Sequence, residues 1–333
     1  MHDKMKQTLN DIMKVVFSLL LGGAILYWMY RGFDFGKVEY VLLHEMDWTW
    51  MILSFPFGIL AQTFRGWRWK QTLTPLGEHP RDSVSINAIF ISYASSLLIP
   101  RIGEFARCGV LRRWDNVSFS KSLGTVVTER AIDSLLVMII TLLTFITQIP
   151  VFMTFFRKTG TSVDAILGKF TATGYLVTIG CALVTGIFGY YLIRKLSIYN
   201  KVKDMIAGIW AGITSLRNVK NVPLFIFFTI AIWVSYFLHY YLTFFCFQET
   251  SHLSMACALV TFIVGSIAVI VPTPNGAGPW HFAVKTMLIL YGVSQNAALY
   301  FVLIVHSIQT LLVIVLGIYG WIALQLTARR NEN

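Results

Sequence analysis

Charge is what this 333-residue chain has least of: Asp, Glu, Lys and Arg together make up 13%, about half of the ~25% usual in soluble domains. That scarcity excludes disordered, fibrous and ordinary soluble classes. Cysteine is also rare. Cys108, Cys181, Cys246 and Cys257 form no CxxC pair, and three of them sit in apolar runs, so they are expected to be buried and reduced rather than paired or metal-bound. No Gly-Lys-Ser/Thr ends a glycine-rich loop, which argues against a nucleotide site, and no HxxxH spacing offers metal ligands. Long polar stretches are missing too. The largest, around 101–122 and 195–221, cannot fold a transferase domain, so 1–333 is expected to be one integral-membrane domain with no soluble domain.

What is present is apolar. The AVILMFWYC set accounts for 56% of residues and the mean hydropathy is +0.65, which points to a polytopic membrane protein. Measured against the ~20 residues that cross a bilayer, 12–30, 48–64, 124–146, 170–193, 222–247 and 297–326 read as full spans. Three runs are shorter or broken: 84–99, 254–271 and 280–291. The expected fold is therefore all-α, with about six to seven full transmembrane helices.

The 27 Lys and Arg exceed the 16 Asp and Glu, for a net charge of +11. In a membrane protein this excess marks cytoplasmic loops beside anionic lipid, not nucleic-acid binding. If the N-terminus is cytoplasmic, twenty positive residues fall on that side and five on the other, leaving Arg130 and Lys285 inside apolar runs. Both chain ends are then expected on the cytoplasmic face of the cell's inner membrane. Residues 65–83 and 100–122 are both cytoplasmic in this scheme, so 84–99 must enter and leave on one side. The stretch 254–292 likewise starts and ends outside. Two oppositely oriented re-entrant hairpins, about 84–107 and 254–292, give an inverted-repeat-like architecture whose broken helices meet around a site. Treating 84–99 as a true span would reverse everything after it and spoil the charge asymmetry.

Three constellations could carry function. In Pro100-Arg101-Ile102-Gly103-Glu104-Phe105-Ala106-Arg107 the proline ends a helix, Gly103 is expected to take the tight turn, and Glu104 and Arg107 share a face three residues apart. In Glu129-Arg130-Ala131-Ile132-Asp133 two carboxylates at i,i+4 lie inside a span. Intramembrane charges are costly, so they should face the interior and be partnered, either as a clamp neutralising Arg101 or Arg107 or in direct contact with substrate. In Pro272-Thr273-Pro274-Asn275-Gly276-Ala277-Gly278-Pro279-Trp280-His281 the prolines and glycines break a helix and expose backbone N–H groups suited to an anion. Arg65 and Arg68 with Trp67 and Trp69 read as a basic-aromatic cluster at the cytoplasmic interface. His239 and His306 read as solitary core histidines. Lys285 follows His281 by four residues, on the same helix face.

Together these motifs resemble the lysylphosphatidylglycerol synthase transmembrane-region, or flippase-like domain, family, which includes the membrane half of the multiple peptide resistance factor. The likeness spans nearly the whole chain. It rests on Arg65-x-x-Arg68-Trp69, Leu98-Ile99-Pro100-Arg101-x-Gly103-Glu104-x-x-Arg107, Glu129-Arg130-x-x-Asp133 and Pro272-x-Pro274-x-Gly276-x-Gly278. The resemblance implies movement of a phospholipid, aminoacylated lipid or polyprenyl-linked lipid between leaflets, without the synthase activity. Where the family commonly has Glu, three residues after the second glycine, this chain has His281.

The leading expectation is a lipid translocase that is not an enzyme and needs no cofactor. Its substrate-binding residues are drawn from Arg65, Arg68, Arg101, Glu104, Arg107, Glu129, Arg130, Asp133, Asn275, Gly276, Gly278 and His281, and its partner is a lipid with an anionic or phosphate-containing head group. A second copy of the chain and a separate lipid-synthesising enzyme are the protein partners left open. The alternatives are an integral-membrane enzyme acting on a head group, with Glu104, Glu129 or His281 as acid or base, and an ion-coupled carrier of a small polar solute.

Overall fold

A computed structural model of the chain describes residues 2–149 and 219–332, and all regular structure among them is helical. The principal helices are α1 (His2–Met29), α2 (Trp48–Leu73), α3 (Asp82–Leu98), α4 (Ile102–Asp115), α5 (Phe119–Thr147), α6 (Val222–Tyr241), α7 (Met255–Ala268), α8 (Pro279–Leu290) and α9 (Gln295–Glu332). Among the described residues, three helical stretches are long and apolar enough to cross a membrane: Phe119–Thr147, Val222–Cys246 and Gln295–Thr327. The protein is therefore a helical membrane protein. The expected span 170–193 lies outside the described residues, as does nearly all of the loop after it.

Local chemistry sets the helix ends. The Asp47 side chain accepts from Thr49 N at 2.9 Å and opens α2, and Ser254 does the same for Cys257 N at 3.2 Å ahead of α7. Ile99, forced out of helical geometry by Pro100, is extended at φ −131° and ends α3. The chain reverses at Arg101, with φ +65°, and α4 begins at once. Sequence reasoning assigned that turn to Gly103. In the structure Gly103 serves close packing instead, because a Cβ there would collide with the Ser92 carbonyl and the Ser96 hydroxyl oxygen. Its bare backbone lets α4 lie directly against α3. The second break is made by Asn275, Gly276 and Gly278, all at positive φ, before Pro279 starts α8.

These breaks produce two helix hairpins, α3–α4 and α7–α8. The base of the first is tied shut: Arg81 donates to Asp115 through its backbone N and its Nε, each at 2.7 Å. Lys121 meets Glu78 at 2.9 Å, Ser118 N donates to the same carboxylate, and the Lys121 bond holds Glu78 below the usual carboxylate range. The Trp114 indole reaches the Leu324 carbonyl of α9 at this end. At the opposite end Asp47 N donates to the Cys246 carbonyl, and the Tyr300 hydroxyl to the Asp34 carbonyl. The hairpin tips meet between these ends. Leu97 of the first break and Pro274, Asn275 and Ala277 of the second border one cavity of about 390 Å³.

Two apolar cores flank that meeting point, one built around Phe244, Phe301, Cys257 and Leu288, the other around Trp69, Leu73, Val84 and Leu111. Cys108, Cys246 and Cys257 are buried free thiols, while Cys181 lies outside the described residues.

Candidate functional site

α2 continues well past residue 64, where a span was expected to end, and its last turns run inside the protein. Arg65 and Arg68 are 3% and 0% exposed, so they are not an interfacial anchor. An i,i+3 pair occupies one helix face, and here that face meets the Glu129–Asp133 face of α5. Arg65 Nη1 donates to Asp133 at 2.6 Å and Arg68 Nη2 at 2.8 Å. Arg68 also lies 3.5 Å from Glu129. From α4, Arg107 Nη1 donates to Glu129 at 2.7 Å, while its guanidinium stacks 4.5 Å over the Trp69 ring. Trp69 in turn is fixed by donation to Thr125 at 2.9 Å.

The pairings are all between helices. Glu104 and Arg107, expected to pair along α4, instead each reach across to α5. Glu104 accepts from Arg130 Nε at 2.8 Å, in a pair with side chains 27% and 46% exposed. Arg101 stays outside this network: it is exposed, and no ion pair joins it to any described residue. The fully buried part of the cluster therefore holds three arginines against two carboxylates. Several of its atoms are buried without a hydrogen-bond partner, among them Arg65 Nε, Arg107 Nε and Arg107 Nη2.

One side of the cluster opens on a cavity of about 890 Å³. Its polar end carries Arg65, Arg130, Asp133, Tyr93 and Tyr236, with the Tyr236 hydroxyl donating to that of Tyr93 at 2.7 Å. The rest is apolar, walled by Val137, Met138, Leu142 and Phe145 of α5 and by Phe262, Ile267 and Ile270 near the end of α7. Met138, Leu142 and Ile270 are about two-thirds exposed (61%, 60% and 66%), so the cavity opens on the flank of the bundle. Charge at one end and a laterally open apolar trough at the other match an amphiphile.

The second break forms a separate arrangement. Asn275 Nδ2 donates to the Thr310 hydroxyl at 2.7 Å, and the Asn275 carbonyl meets His306 Nε2 at 3.1 Å. Gly276 and Gly278 supply the chain reversal, and His281 is buried with its ring 4.4 Å from that of His306. His306 is satisfied by a backbone partner, as expected, but also has a second imidazole beside it, which was not expected. His239 does find a single backbone partner, the Ser54 carbonyl at 2.8 Å. Asn275, Gly276, Gly278 and His281 do not join the ion cluster.

Sequence reasoning missed Tyr93, Trp233, Tyr236 and Gln309 on the cavity wall. A signal existed for two of them: Trp233, Tyr236 and Tyr240 recur at helical spacing along one face of α6, polar-tipped rings on an otherwise apolar helix.

No curated protein and no solved structure matches the chain. The family model described as lysylphosphatidylglycerol synthase TM region matches residues 15–317. That match takes in the ion cluster, both breaks and the whole cavity wall, and the chain belongs to the lysylphosphatidylglycerol synthase TM region family.

Proposed function

We propose that the protein is a lipid translocase, carrying a phospholipid or related lipid between leaflets with the head group at the charged end of the large cavity and its chains in the trough. The observation that carries this reading is the shape and chemistry of that one cavity: ionic at its inner end, apolar along α5 and α7, open on the flank. The charged groups at that end are tied into ion pairs, an arrangement that positions charge for a passing head group.

Both hairpins are re-entrant in this reading. The closed base of α3–α4 supports that, because residues 78 and 118–121 touch and so sit at one face. Lys70, Arg81, Arg112, Arg113 and Lys121 cluster toward that base, which supports reading it as the cytoplasmic face under the positive-inside rule. With 170–193 the chain would have six full spans. Tips that meet midway, entering from opposite sides, supply the two elements that alternating access requires. Reconstitution with head-group-labelled lipids tests the proposal. Exchange between leaflets with the lipid chemically unchanged is expected. A modified head group would favour the membrane-enzyme reading, and uptake of a water-soluble solute the carrier reading.

A further inference from the structure

We infer that the cavity selects lipids whose head group carries one negative charge and no cation, and that Arg130 is the side chain that contacts it. This deepens the translocase reading and rests on it. Around the polar end the described residues supply Arg65, Arg68, Arg107 and Arg130 against Glu104, Glu129 and Asp133. Among the described residues one cation is unbalanced. In a water-poor site an uncompensated charge is costly, and a monoanionic head group removes the imbalance. A zwitterionic head group leaves it standing, and a cationic one adds to it.

The hydrogen-bonding inventory points to a phosphate in that head group. Arg65 Nε, Trp233 Nε1 and the Tyr240 hydroxyl belong to residues on the cavity wall and are buried without partners. The two nitrogens can only donate, and the hydroxyl can donate or accept. A phosphodiester offers acceptors to all three, and because anionic, zwitterionic and cationic phospholipids share it, the charge balance sets the preference among them.

Among the four arginines, the freedom of the guanidinium selects Arg130. Arg65, Arg68 and Arg107 are buried and held through their Nη atoms by Asp133 and Glu129. Arg130 lies on the cavity wall, 46% exposed, and is held by Glu104 through Nε. Its Nη1 and Nη2 donate to none of the described residues, so they can reach a phosphate while Nε keeps Glu104. From Arg130 to Leu142 the α5 wall rises ~18 Å at 1.5 Å per residue, room for a fatty-acyl chain below the phosphate.

The test uses the intact protein in a neutral detergent and follows its thermal unfolding against added lipids of identical acyl chains. The probes are phosphatidylglycerol, phosphatidylcholine and lysyl-phosphatidylglycerol. Phosphatidylglycerol is expected to bind ~10-fold or more tightly than phosphatidylcholine, because both present a phosphodiester to Arg130 but only the latter also brings a cation beside the unbalanced arginines, with the cationic lipid weakest. Arg130→Gln should abolish this preference and Arg112→Gln should keep it. Glu104→Gln, which frees Arg130 and leaves a second positive charge unbalanced, should strengthen phosphatidylglycerol binding, and it carries the test if Arg130→Gln does not fold. Equal binding of the anionic and zwitterionic lipids, or weaker phosphatidylglycerol binding by Glu104→Gln, overturns the inference and leaves translocation standing. A failure of all three lipids to bind overturns the translocase reading along with it.

Discussion

Glu129 is a carboxylate whose removal the structure makes costly. It is 0% exposed, accepts from Arg107 at 2.7 Å and lies 3.5 Å from Arg68. Replacing it with Gln leaves Arg68 its other partner, Asp133 at 2.8 Å, but leaves Arg107 with no counter-charge. Opposite charges ~4 Å apart in an effective dielectric of ~20 attract by about 4 kcal/mol, and breaking a buried pair from one side costs ~3–5 kcal/mol in practice. Glu129→Gln should therefore lower unfolding stability in detergent by about that amount. Arg107→Gln should also destabilise, through the orphaned carboxylate and the lost stacking on Trp69, which is worth ~0.5–2 kcal/mol. The double mutant removes both orphans. Its loss should fall short of the summed single losses by about 2 kcal/mol, within the range seen for residues in one buried network. Arg101→Gln is the control. With no ion pair to α5, it should add to Glu129→Gln within ~0.5 kcal/mol. If the Arg107 cycle is additive, the reasoning fails, and Glu129 is then a separate polar lining not coupled to the first hairpin.

Three further outcomes are expected. Single cysteines at Glu78 and Asn116 should be labelled from the same side of the membrane, since both flank the closed base of the first hairpin; labelling from opposite sides refutes re-entry. Gly103→Ala should destabilise by ~1–3 kcal/mol, the usual cost of overpacking, read as lower yield and melting temperature, whereas a neutral effect would mean that α4 does not lie on Ser92. Arg101→Gly should be neutral or gain about 1 kcal/mol by relieving left-handed backbone, while Arg101→Val should lose stability; the reverse order in thermal melts would show that the turn is placed elsewhere.

Much of the architecture was legible because membranes tax polar residues so heavily. Glu129 and Asp133 inside an apolar run announced a buried, partnered site, whereas the positive-charge count assigned Arg65, Arg68 and Arg107 to cytoplasmic loops and the structure buries all three. What sequence could not supply was the identity of partners. Glu104 and Arg107 are three residues apart, and a local helical pair of that kind is worth only ~0.2–0.5 kcal/mol. A buried carboxylate left alone costs several times more. Once α4 packs on α5, the larger demand wins, and both residues turn to α5 instead.

The same competition explains Arg65, Arg68 and Arg101. Hydropathy along 48–73 falls where α2 acquires arginines and tryptophans, and that average is indistinguishable from a helix reaching the interface. Periodicity gives the arginines a shared face but not its direction; only the presence of Asp133 on a helix 60-odd residues later turns it inward. At the first break, glycine is the residue expected to bear a positive φ, but Gly103 is required for close approach to Ser92, so the strain moves to Arg101. The large cavity is the extreme case. Arg65, Tyr93, Arg130, Tyr236 and Ile267 line it from five different helices, so no local pattern encodes it. Each helix contributes a polar residue or an apolar stripe that looks ordinary alone, and the amphiphile-shaped space exists only where those faces converge.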